Sequence, residues 1–410
     1  MLSWKKRRNF ILRDFTVTIE KLVYGGDGLA RLDGRVVLAP FVLPQEHVRL
    51  QAEVEKPGLV RASVHELLTP SPARQRAPCP YFERCGGCHY QHAPHELQLQ
   101  IKRSILLEEL RRIGKIEPPA DIAIVSAEPW HYRNRVQLHL QDRRIGFREG
   151  RSHELCAIDH CPIASPRLNE TIAILRGMLH DARWPHFLKS LELFTNESEV
   201  QLNVLETARP VARRFFEWCA ERIPSLAPGA LDYPVGGDRL RVSGGSFFQV
   251  NRYLIEQLVE TALSSERGTS ATDVYAGVGL FSMAMARRFE SVTAVESGSA
   301  AMRDLRFNAE RAGLTVAAVQ RSAEEYLRNL PAAPEFMLFD PPRAGLGKAV
   351  VVEVARLRPR RLAIVSCDPA TLARDLAGLV AAGYRIERMT LVDLFPQTYH
   401  FETVVHLAAQ

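Results

Sequence analysis

The sequence predicts an α/β protein whose C-terminal part, residues 241–410, forms a doubly wound parallel sheet. From about residue 241, short apolar runs alternate with helical patterns, as they do where crossover helices connect parallel strands. Residues 14–68 differ, because β-rich runs follow one another closely with glycine turns between them. Such runs are typical of a small β-barrel. A proline-rich linker and a cysteine-containing segment separate the two regions.

The composition is that of a globular protein, with 46% hydrophobic and 24% charged residues. The basic N-terminal segment has no apolar core behind it, and no apolar stretch is long enough to span a bilayer. We therefore expect a cytoplasmic protein without a membrane partner, and a monomer. A net charge of +6 is compatible with binding to nucleic acid. The basic residues before Asp14 form either a solvated tail or an arm that contacts phosphates: Lys5, Lys6, Arg7, Arg8 and Arg13.

Three domains are predicted. Residues 12–70 form the small barrel, of an OB-like kind, and residues 71–240 form a central α+β domain. The central domain includes an amphipathic helix over residues 94–113, which we expect to pack on the third domain. The third domain, residues 241–410, contains strands near residues 271–275, 291–296, 315–320, 336–340 and 362–366. It ends in an antiparallel hairpin of residues 384–391 and 401–408.

Three cysteines lie within ten residues, in the pattern Cys79-x5-Cys85-x2-Cys88, around two glycines that allow a tight turn. A fourth ligand would have to come from elsewhere in the chain. Cys161, which like Cys79 precedes a proline, is the better candidate, and Cys156 is its competitor. Four thiolates suit either an iron–sulfur cluster or a structural zinc ion. Three close cysteines and one remote cysteine favour the iron–sulfur cluster.

A glycine loop follows the first predicted strand of the parallel sheet, in the sequence Asp273-Val-Tyr-Ala-Gly277-Val-Gly279. Because glycines allow the backbone to approach a ligand closely, this loop is a candidate cofactor site. It lacks the third glycine of a dinucleotide fingerprint. Glu296 ends the next strand and can accept hydrogen bonds from both ribose hydroxyls of a nucleoside. The combination suits S-adenosylmethionine; the alternative is an ordinary turn with a solvated Glu296.

Three further reactive groups lie at strand ends. Cys367 directly follows an apolar run that Pro369 ends, so its thiol is expected at the carboxyl edge of the sheet, where ligands bind. Asp340 precedes two prolines that stiffen its loop. Glu402 begins the last strand and is either an edge charge or a buried general base. For Cys367 the alternative is a packing role, since cysteine is among the most buried residue types.

Taken together, these motifs resemble those of the RNA uracil-5 methyltransferases, which make 5-methyluridine in tRNA or ribosomal RNA. The resemblance covers nearly the whole chain, and the barrel is similar to the TRAM RNA-binding domain. The matching strings are Phe247-Phe-Gln249-Val-Asn251, Asp340-Pro-Pro-Arg343, Ser366-Cys-Asp-Pro-Ala-Thr-Leu-Ala-Arg-Asp375 and His400-Phe-Glu402. Ala276 departs from the family, whose members often have a cysteine at this position.

The resemblance implies a Rossmann-like S-adenosylmethionine-dependent methyltransferase domain, preceded by a TRAM-like barrel and a cluster-carrying central domain. It implies that Cys367 is the nucleophile and Glu402 the general base. Contacts to the cofactor are implied for Gln249, Tyr275, Glu296 and Asp340, and a [4Fe–4S] cluster for Cys79, Cys85, Cys88 and Cys161. Large-subunit (23S) ribosomal RNA is favoured over tRNA, because relatives that act there tend to carry both the barrel and the cluster.

The chemistry requires a nucleophile and a base. Uracil carbon 5 attacks a methyl group poorly until a thiolate adds to carbon 6 and converts the ring to an enolate. We expect positive neighbours to favour ionisation of Cys367, and Glu402 to remove the proton from carbon 5 after methyl transfer. The target base must leave its stack to reach such a site.

Two other classes of protein are compatible with parts of the sequence. Radical S-adenosylmethionine methylthiotransferases also combine an RNA-binding barrel with an iron–sulfur cluster, but they use a Cys-x3-Cys-x2-Cys spacing. The x5 spacing and the available fourth cysteine argue for a closed, structural cluster here. A non-catalytic RNA-binding protein with a degenerate methyltransferase fold is the second alternative, and the intact Cys367 and Glu402 argue against it.

Overall fold

The computed structural model describes residues 14–119 and 121–410. The predicted basic arm, from Lys5 to Arg13, lies outside these residues. The described chain divides into two compact units. The first comprises residues 14–83, 88–101 and 397–399, and the second comprises residues 84–87, 102–396 (except 120) and 400–410. The division into three domains stays a prediction.

The first unit is built on a six-stranded sheet. Its strands are β1 (Asp14–Thr18), β2 (Lys21–Leu22), β3 (Gly28–Leu32), β4 (Arg35–Ala39), β5 (His47–Lys56) and β6 (Leu59–Thr69). The hydrogen-bonded order is β1-β5-β6-β4-β3-β2, and only the β4–β6 pair is parallel. The strand-rich character of residues 14–68 is confirmed. Closure of this sheet into a barrel stays a prediction.

Alternating burial explains why these segments form strands. In β5 the side chains of Val48, Leu50 and Ala52 are buried, and those between them are half-buried. This period of two places one face of each strand on a common apolar core. Gly28 is required in β3, because a Cβ atom there would lie 2.3 Å from Val42 Cγ2. The Val42 side chain therefore packs directly against the backbone of β3 at this position.

The predicted helix over residues 94–113 is shorter and ends differently. The helix α1 (His95–Glu109) is followed by a π-helical turn over Leu110–Gly114, which ends at Lys115 in the left-handed conformation. The π-helical turn packs against the later helix α9 (Pro369–Ala381). The approach is close, because a Cβ atom on Gly114 would lie 2.9 Å from Ala373 O. A residue larger than glycine would force these two backbones apart.

The second unit contains a five-stranded sheet, a two-stranded hairpin and an eight-stranded sheet, with helices between them. Its first elements are β7 (Ala123–Val125), β8 (Arg135–Gln141), β9 (Arg144–Arg148), β10 (Leu155–Ala157), α2 (Pro166–Met178), β11 (Leu188–Thr195), β12 (Val200–Thr207), α3 (Arg213–Arg222), β13 (Leu231–Val235), β14 (Asp238–Val242) and α4 (Ile255–Leu263). The five-stranded sheet has the order β10-β9-β8-β11-β12, and β13 pairs with β14.

An eight-stranded sheet forms the rest of the second unit. Its remaining elements are β15 (Gly268–Val274), α5 (Leu280–Met285), β16 (Phe289–Glu296), α6 (Ser299–Arg311), β17 (Ala317–Gln320), α7 (Ala323–Asn329), β18 (Phe336–Phe339), α8 (Gly347–Leu357), β19 (Arg361–Ser366), β20 (Tyr384–Val392) and β21 (Glu402–Ala409), with α9 between β19 and β20. The order is β17-β16-β15-β18-β19-β21-β20-β7.

The predicted doubly wound sheet and terminal hairpin are confirmed. Strands β15 to β19 pair in parallel, whereas β21 runs antiparallel to both β19 and β20. The chain leaves β15 towards β16 on one side and returns to β18 on the other. This reversal opens a crevice at the carboxyl ends of the strands, where α/β sheets bind ligands.

No helix in residues 14–119 and 121–410 is long and apolar enough to cross a membrane. The cytoplasmic location and the monomeric state stay predictions.

Candidate active site

Cys367 lies in the turn between β19 and α9, at the carboxyl edge of the sheet. The turn is well specified locally. Asp368 is the N-cap of α9, and its Oδ1 accepts hydrogen bonds from the backbone N–H groups of Ala370 (3.0 Å) and Thr371 (2.9 Å). Pro369 occupies the first helical position, where its missing N–H group costs nothing. The thiol is therefore held on a rigid strand-to-helix turn and is half-buried.

Strand pairing brings Glu402 next to Cys367. In the antiparallel register of β19 and β21, Ser366 faces Thr403, so the residues that follow and precede this pair also meet. Glu402 is 6% exposed, and its Oε2 atom meets no hydrogen-bond partner among the described residues. A buried carboxyl oxygen without a donor is unusual in a packed core and is typical of a functional position.

Cys367 and Glu402 both have a raised pKa. The pKa of Cys367 is raised to about 12, chiefly by burial and in smaller part by the Glu402 carboxylate, whereas Arg343 lowers that pKa. Burial also raises the pKa of Glu402 well above its usual value, with Asp340 adding to the rise and Arg343 opposing it. Arg343 favours ionisation of Cys367, as expected of a positive neighbour, but burial and the carboxylates outweigh it in the ligand-free protein. Arg343 is one cation against three carboxylates.

Asp340 follows β18 and contacts Gln249. Gln249 Nε2 donates to Asp340 Oδ2 at 3.3 Å, and the Asp340 backbone N–H donates to Val274 O at 3.3 Å. The pKa of Asp340 is raised to about 7, chiefly by burial and in smaller part by the negative charge of Asp273. The structure thus brings together Gln249 and Asp340, two of the four predicted cofactor residues, at the carboxyl ends of β15 and β18.

The loop that carries Asp340 is held by α9 as well as by its prolines. Asp375 Oδ2 accepts a hydrogen bond from the Leu346 backbone N–H at 2.7 Å. Thr371 Oγ1 donates to Arg343 O at 3.2 Å, and Arg374 Nη2 donates to Ala344 O at 2.8 Å. Gly345, with φ of +75°, permits this close packing. One helix therefore positions both the Cys367 turn and the Asp340 loop.

The glycine loop after β15 is shaped by backbone conformations that are rare outside glycine. Gly277 has φ of +55°, and no atom lies within 4 Å of the position its Cβ would take. Tyr275, two residues before Gly277, has φ of +68°, a strained value for a bulky residue. Glu296 Oε2 accepts a hydrogen bond from the Gly277 N–H at 3.0 Å, and Oε1 accepts one from the Gly298 N–H. Glu296 therefore fixes the loop and retains lone pairs for further donors.

These residues fit S-adenosylmethionine. Asp273 is fully buried, its Oδ1 meets no donor among the described residues, and burial raises its pKa to about 7. Together with Asp340 it offers negative potential that a sulfonium or an ammonium group would satisfy. The open space beside Gly277 and the Glu296 carboxylate suit a nucleoside.

Phe247, named above only as part of a matching string and without a role, presents an exposed aromatic ring. Phe247 is 66% exposed, whereas its neighbour Phe248 is 2% exposed, and Gln249 follows. The turn that presents Phe247 is held by Ser246, whose Oγ donates to Asp304 Oδ2 at 3.0 Å, and by Arg135, whose Nη1 donates to Ser246 O at 2.8 Å. A Phe-Phe pair alone does not indicate which ring faces solvent, so the sequence contained no usable signal.

The structure does not bring the four predicted cysteine ligands into one metal-binding group among the described residues. Among residues 14–119 and 121–410, no group of three or more His, Cys, Asp or Glu side chains is arranged to hold a metal ion. Cys79 and Cys88 belong to the first unit, whereas Cys85 and Cys161 belong to the second. Four thiols suit an iron–sulfur cluster chemically, and the cluster stays a prediction.

The competitor Cys156 has a different environment. It is fully buried, and Arg84 Nε and Nη2 both lie 3.4 Å from its sulfur. Cys161 is half-buried, and Asn169 holds its backbone on both sides through hydrogen bonds of 2.7 and 3.0 Å. These surroundings favour Cys161 over Cys156 as the more accessible thiol.

Comparisons with known proteins agree with the geometry. A model of the family described as tRNA (uracil-5-)-methyltransferase matches residues 237–410. A 23S rRNA (uracil(1939)-C(5))-methyltransferase, RlmD, of Pectobacterium atrosepticum is 34% identical over 96% of this chain and 93% of the relative. The protein of the same name from Pseudomonas putida is 32% identical over 94% of this chain and 92% of the relative.

A solved structure extends the likeness to the fold. The tRNA (uracil-54, C5)-methyltransferase of Pyrococcus abyssi, in complex with S-adenosyl-L-homocysteine, superposes with a TM-score of 0.75 at 25% identity. The match covers 96% of this chain and 100% of that chain. The chain therefore belongs to the S-adenosylmethionine-dependent RNA uracil-5-methyltransferase family.

Proposed function

We propose that the protein methylates carbon 5 of a uridine in 23S ribosomal RNA, with Cys367 as nucleophile and Glu402 as general base. The observation that carries the proposal is the β19–β21 register, which sets a half-buried thiol beside a buried carboxyl group. The two groups lie at the same edge of the sheet as the Gln249–Asp340 contact and the Gly277–Glu296 contact. The nearly full-length relatives named as 23S rRNA methyltransferases support the choice of RNA.

The chain's residues would act in two steps. Cys367 Sγ adds to carbon 6 of the uracil, its proton leaves to water, and the electrons of the 5,6 double bond move towards carbon 5 and oxygen 4. S-adenosylmethionine, when bound, supplies the methyl group that carbon 5 takes. Glu402 then removes the proton from carbon 5, the double bond re-forms and the bond from carbon 6 to sulfur breaks.

Burial raises the pKa of both acid–base groups in the ligand-free protein. A positively charged ligand in the crevice lowers the pKa of nearby acids, in the same direction as Arg343. We propose that cofactor binding in this way favours the thiolate of Cys367 and the carboxylate of Glu402. Gln249, Tyr275, Glu296 and Asp340 are the proposed cofactor contacts.

The target uracil has to be unstacked to reach the thiol. Phe247 presents an exposed aromatic ring two residues before Gln249. Because flipped bases commonly stack on aromatic side chains, we propose that the target uracil packs on Phe247. The TRAM-like sheet of residues 14–69 is proposed to bind RNA outside the target base.

The decisive test uses RNA that carries 5-fluorouridine at the target position. Fluorine cannot be removed as a proton, so the protein should remain covalently attached and migrate as a protein–RNA adduct on a denaturing gel. Cys367→Ala should abolish the adduct. Cys219→Ala is the matched control, because Cys219 is a buried thiol in α3 whose loss should leave the adduct intact. An adduct formed by Cys367→Ala would remove Cys367 from the nucleophile role.

Glu402→Gln tests the base separately. This variant should add to unmodified RNA and transfer the methyl group, but it should release product slowly, so that methylated RNA accumulates on the protein. Normal turnover of Glu402→Gln would exclude the base role.

The RNA target is tested by mapping 5-methyluridine in a strain that lacks the protein. We expect loss of one 5-methyluridine from 23S rRNA, at the position equivalent to the uridine named for the relatives. Loss from tRNA instead would favour the second candidate substrate, which the family model and the Pyrococcus abyssi enzyme suggest.

The iron–sulfur cluster is proposed from the spacing of Cys79, Cys85, Cys88 and Cys161 and from the affinity of thiolates for such clusters. Protein purified without oxygen should contain about four iron atoms per chain and absorb visible light, and Cys85→Ser should lose both signals. Protein that binds zinc, or no metal, under these conditions would exclude the cluster.

A further inference from the structure

A cavity of about 470 Å³ lies within the first unit, apart from the residues discussed above. Its wall is formed by residues 70, 71 and 74–77 and by Phe82, Glu83 and His92. The volume lies in the range of pockets that hold small molecules or single nucleotides. Nothing in the proposed reaction uses these residues.

The wall of this cavity is pre-formed. The Arg74 guanidinium donates from Nε to Glu46 Oε1 (2.6 Å) and from Nη2 to Glu46 Oε2 (2.9 Å). The same Nη2 also donates to Phe41 O at 2.7 Å. Glu46 is fully buried, and its Oε1 also accepts from the Ser71 backbone N–H at 3.1 Å. A bidentate pair of this kind holds the segment in one conformation, so little ordering is required when a ligand binds.

An aromatic surface lies next to this wall. The ring of Phe82 packs edge-on against Phe41, with centroids 5.2 Å apart, and lies 5.5 Å from the His92 ring at a tilt of 36°. Phe82 is only half-buried, so part of its ring is available to a flat ligand. Aromatic faces of this kind stack on nucleobases, whatever the base.

His92 forms one side of the cavity. Its side chain is 2% exposed, and its Nε2 lies 3.4 Å from Val42 O. A carbonyl only accepts hydrogen bonds, so Nε2 carries the proton. Nδ1 meets no donor among the described residues and is shielded from solvent, so the His92 ring contributes a packing surface to the cavity and not a hydrogen bond.

The rim carries two opposite charges that do not pair. Arg76 and Glu83 are both exposed and line the cavity. Neither side chain forms an ion pair or a hydrogen bond in the part of the chain that the structure describes. A guanidinium suits a phosphate, and a carboxylate suits the amino group of a base.

We infer that this cavity binds one unpaired nucleotide of the RNA substrate, other than the target uridine, whose base carries an exocyclic amino group. The base stacks on Phe82, its amino group faces the carboxylate of Glu83, and its phosphate contacts Arg76. The inference rests on the proposed function, because it takes the substrate to be RNA. It adds a recognition site on the first unit for an adenine, guanine or cytosine nucleotide.

Three variants test the site by RNA affinity, measured by fluorescence anisotropy with the full chain. Phe82→Leu keeps an apolar side chain but loses the aromatic face, and we expect the Kd for RNA to rise about 5- to 100-fold. Arg76→Ala should weaken binding and reduce the slope of log Kd against log salt by about 1. The control is Arg31→Ala, which removes one exposed charge of the same unit and should change neither quantity.

The nucleotide is identified by a double-mutant cycle. Each unpaired, non-target nucleotide of the RNA is replaced in turn by an abasic site, and the cost is measured with wild-type protein and with Phe82→Leu. At one position, the loss of binding free energy caused by the abasic site and the loss caused by Phe82→Leu should not add, because both changes remove the same stacking contact. Restoring uracil there should recover less affinity than restoring the native base.

The outcomes separate this inference from the proposed function. At saturating RNA, Phe82→Leu and Arg76→Ala should still form the 5-fluorouridine adduct at the wild-type rate and contain as much iron as wild type. If both variants bind RNA like wild type, or if every abasic substitution is additive with Phe82→Leu, the cavity does not bind a nucleotide. The proposed role of Cys367 as nucleophile would then still stand. If wild-type protein forms no adduct, the proposed function itself fails.

Discussion

At the scale of single residues, the site combines a thiol with several carboxyl groups whose pKa values are raised by burial. Cys367 and Glu402 both have a raised pKa, because neither is surrounded by enough water to stabilise its charge. Arg343 is the cation that opposes these shifts, and its Nη2 lies 3.3 Å from His400 Nε2. The position of one guanidinium therefore controls how much thiolate is available.

We predict that Arg343→Gln slows formation of the 5-fluorouridine adduct by roughly tenfold near neutral pH, the effect of a pKa about one unit higher. The adduct rate should rise with pH in both proteins, with the variant displaced to higher pH. Arg343→Lys keeps the charge and should retain most of the rate. The measurement is the single-turnover rate of adduct formation between pH 6 and 10. Superimposable profiles for Arg343→Gln and wild type would refute the electrostatic role.

A second prediction at this scale concerns Asp273, whose folded pKa of about 7 lies above the usual value of 3.8. A raised folded pKa means that the folded state holds the proton more tightly, so this contribution to stability is fully present below pH 3.8, is lost as the pH rises to about 7, and changes little above that. The loss has an upper limit of roughly 4 kcal/mol for a shift of about three units. Thermal unfolding of ligand-free Asp273→Asn should therefore depend less on pH between 5 and 8. An equal dependence in both proteins would contradict this.

At the scale of elements, helix α1 supports the loop between β20 and β21 that leads to Glu402. Lys102 Nζ donates to Asp393 Oδ1 at 2.6 Å and to Phe395 O at 3.0 Å, and both side chains of the ion pair are completely buried. Asn251 Nδ2 donates to Leu394 O, and Tyr132 OH donates to Pro396 O, each at 3.1 Å. Four consecutive loop residues are thus held from three distant segments.

Removal of one partner of the buried pair should be costly. We predict that Lys102→Met lowers the free energy of unfolding by about 3–5 kcal/mol, because Asp393 is left buried without its counter-ion. The double variant Lys102→Met/Asp393→Leu should recover most of that loss, because an apolar pair leaves no buried charge. Urea unfolding followed by circular dichroism measures both. Lys189→Met, which breaks an exposed pair with Glu206, is the control and should cost less than about 1 kcal/mol. A double variant less stable than the single variant would contradict the argument.

At the scale of the whole molecule, the chain combines a net charge of +6 with a substrate that carries one negative charge per nucleotide. RNA binding should therefore release counter-ions and depend on salt. We predict that the Kd for RNA rises at least about tenfold between 50 and 200 mM salt, while the Kd for S-adenosylmethionine changes less than about twofold. Equilibrium binding of each ligand across this range is the measurement. A flat salt dependence for RNA would indicate that recognition is not carried by phosphates.

Much of the fold could be predicted because the responsible signals are local. Apolar runs of four to eight residues between helical patterns marked β15 to β19, and the missing helix between β20 and β21 marked the terminal hairpin. The end of α1 could not be predicted in the same way. The π-helical turn at residues 110–114 follows from packing against Ala373, some 260 residues away in sequence, and no periodicity contains that information.

For the candidate site, the sequence by itself determined which side chains lie at strand ends, namely Cys367, Asp340 and Glu296, because proline, glycine and apolar runs define those ends. Tertiary structure decided the rest. The insertion of β21 beside β19 placed Glu402 next to the thiol, and burial raised the pKa of Cys367 against the effect of Arg343. The Lys102–Asp393 pair, separated by 291 residues, and the cavity beside Phe82 likewise depend on long-range packing. Desolvation is set by the surroundings of an atom in space, and neighbours in sequence supply only a small part of them.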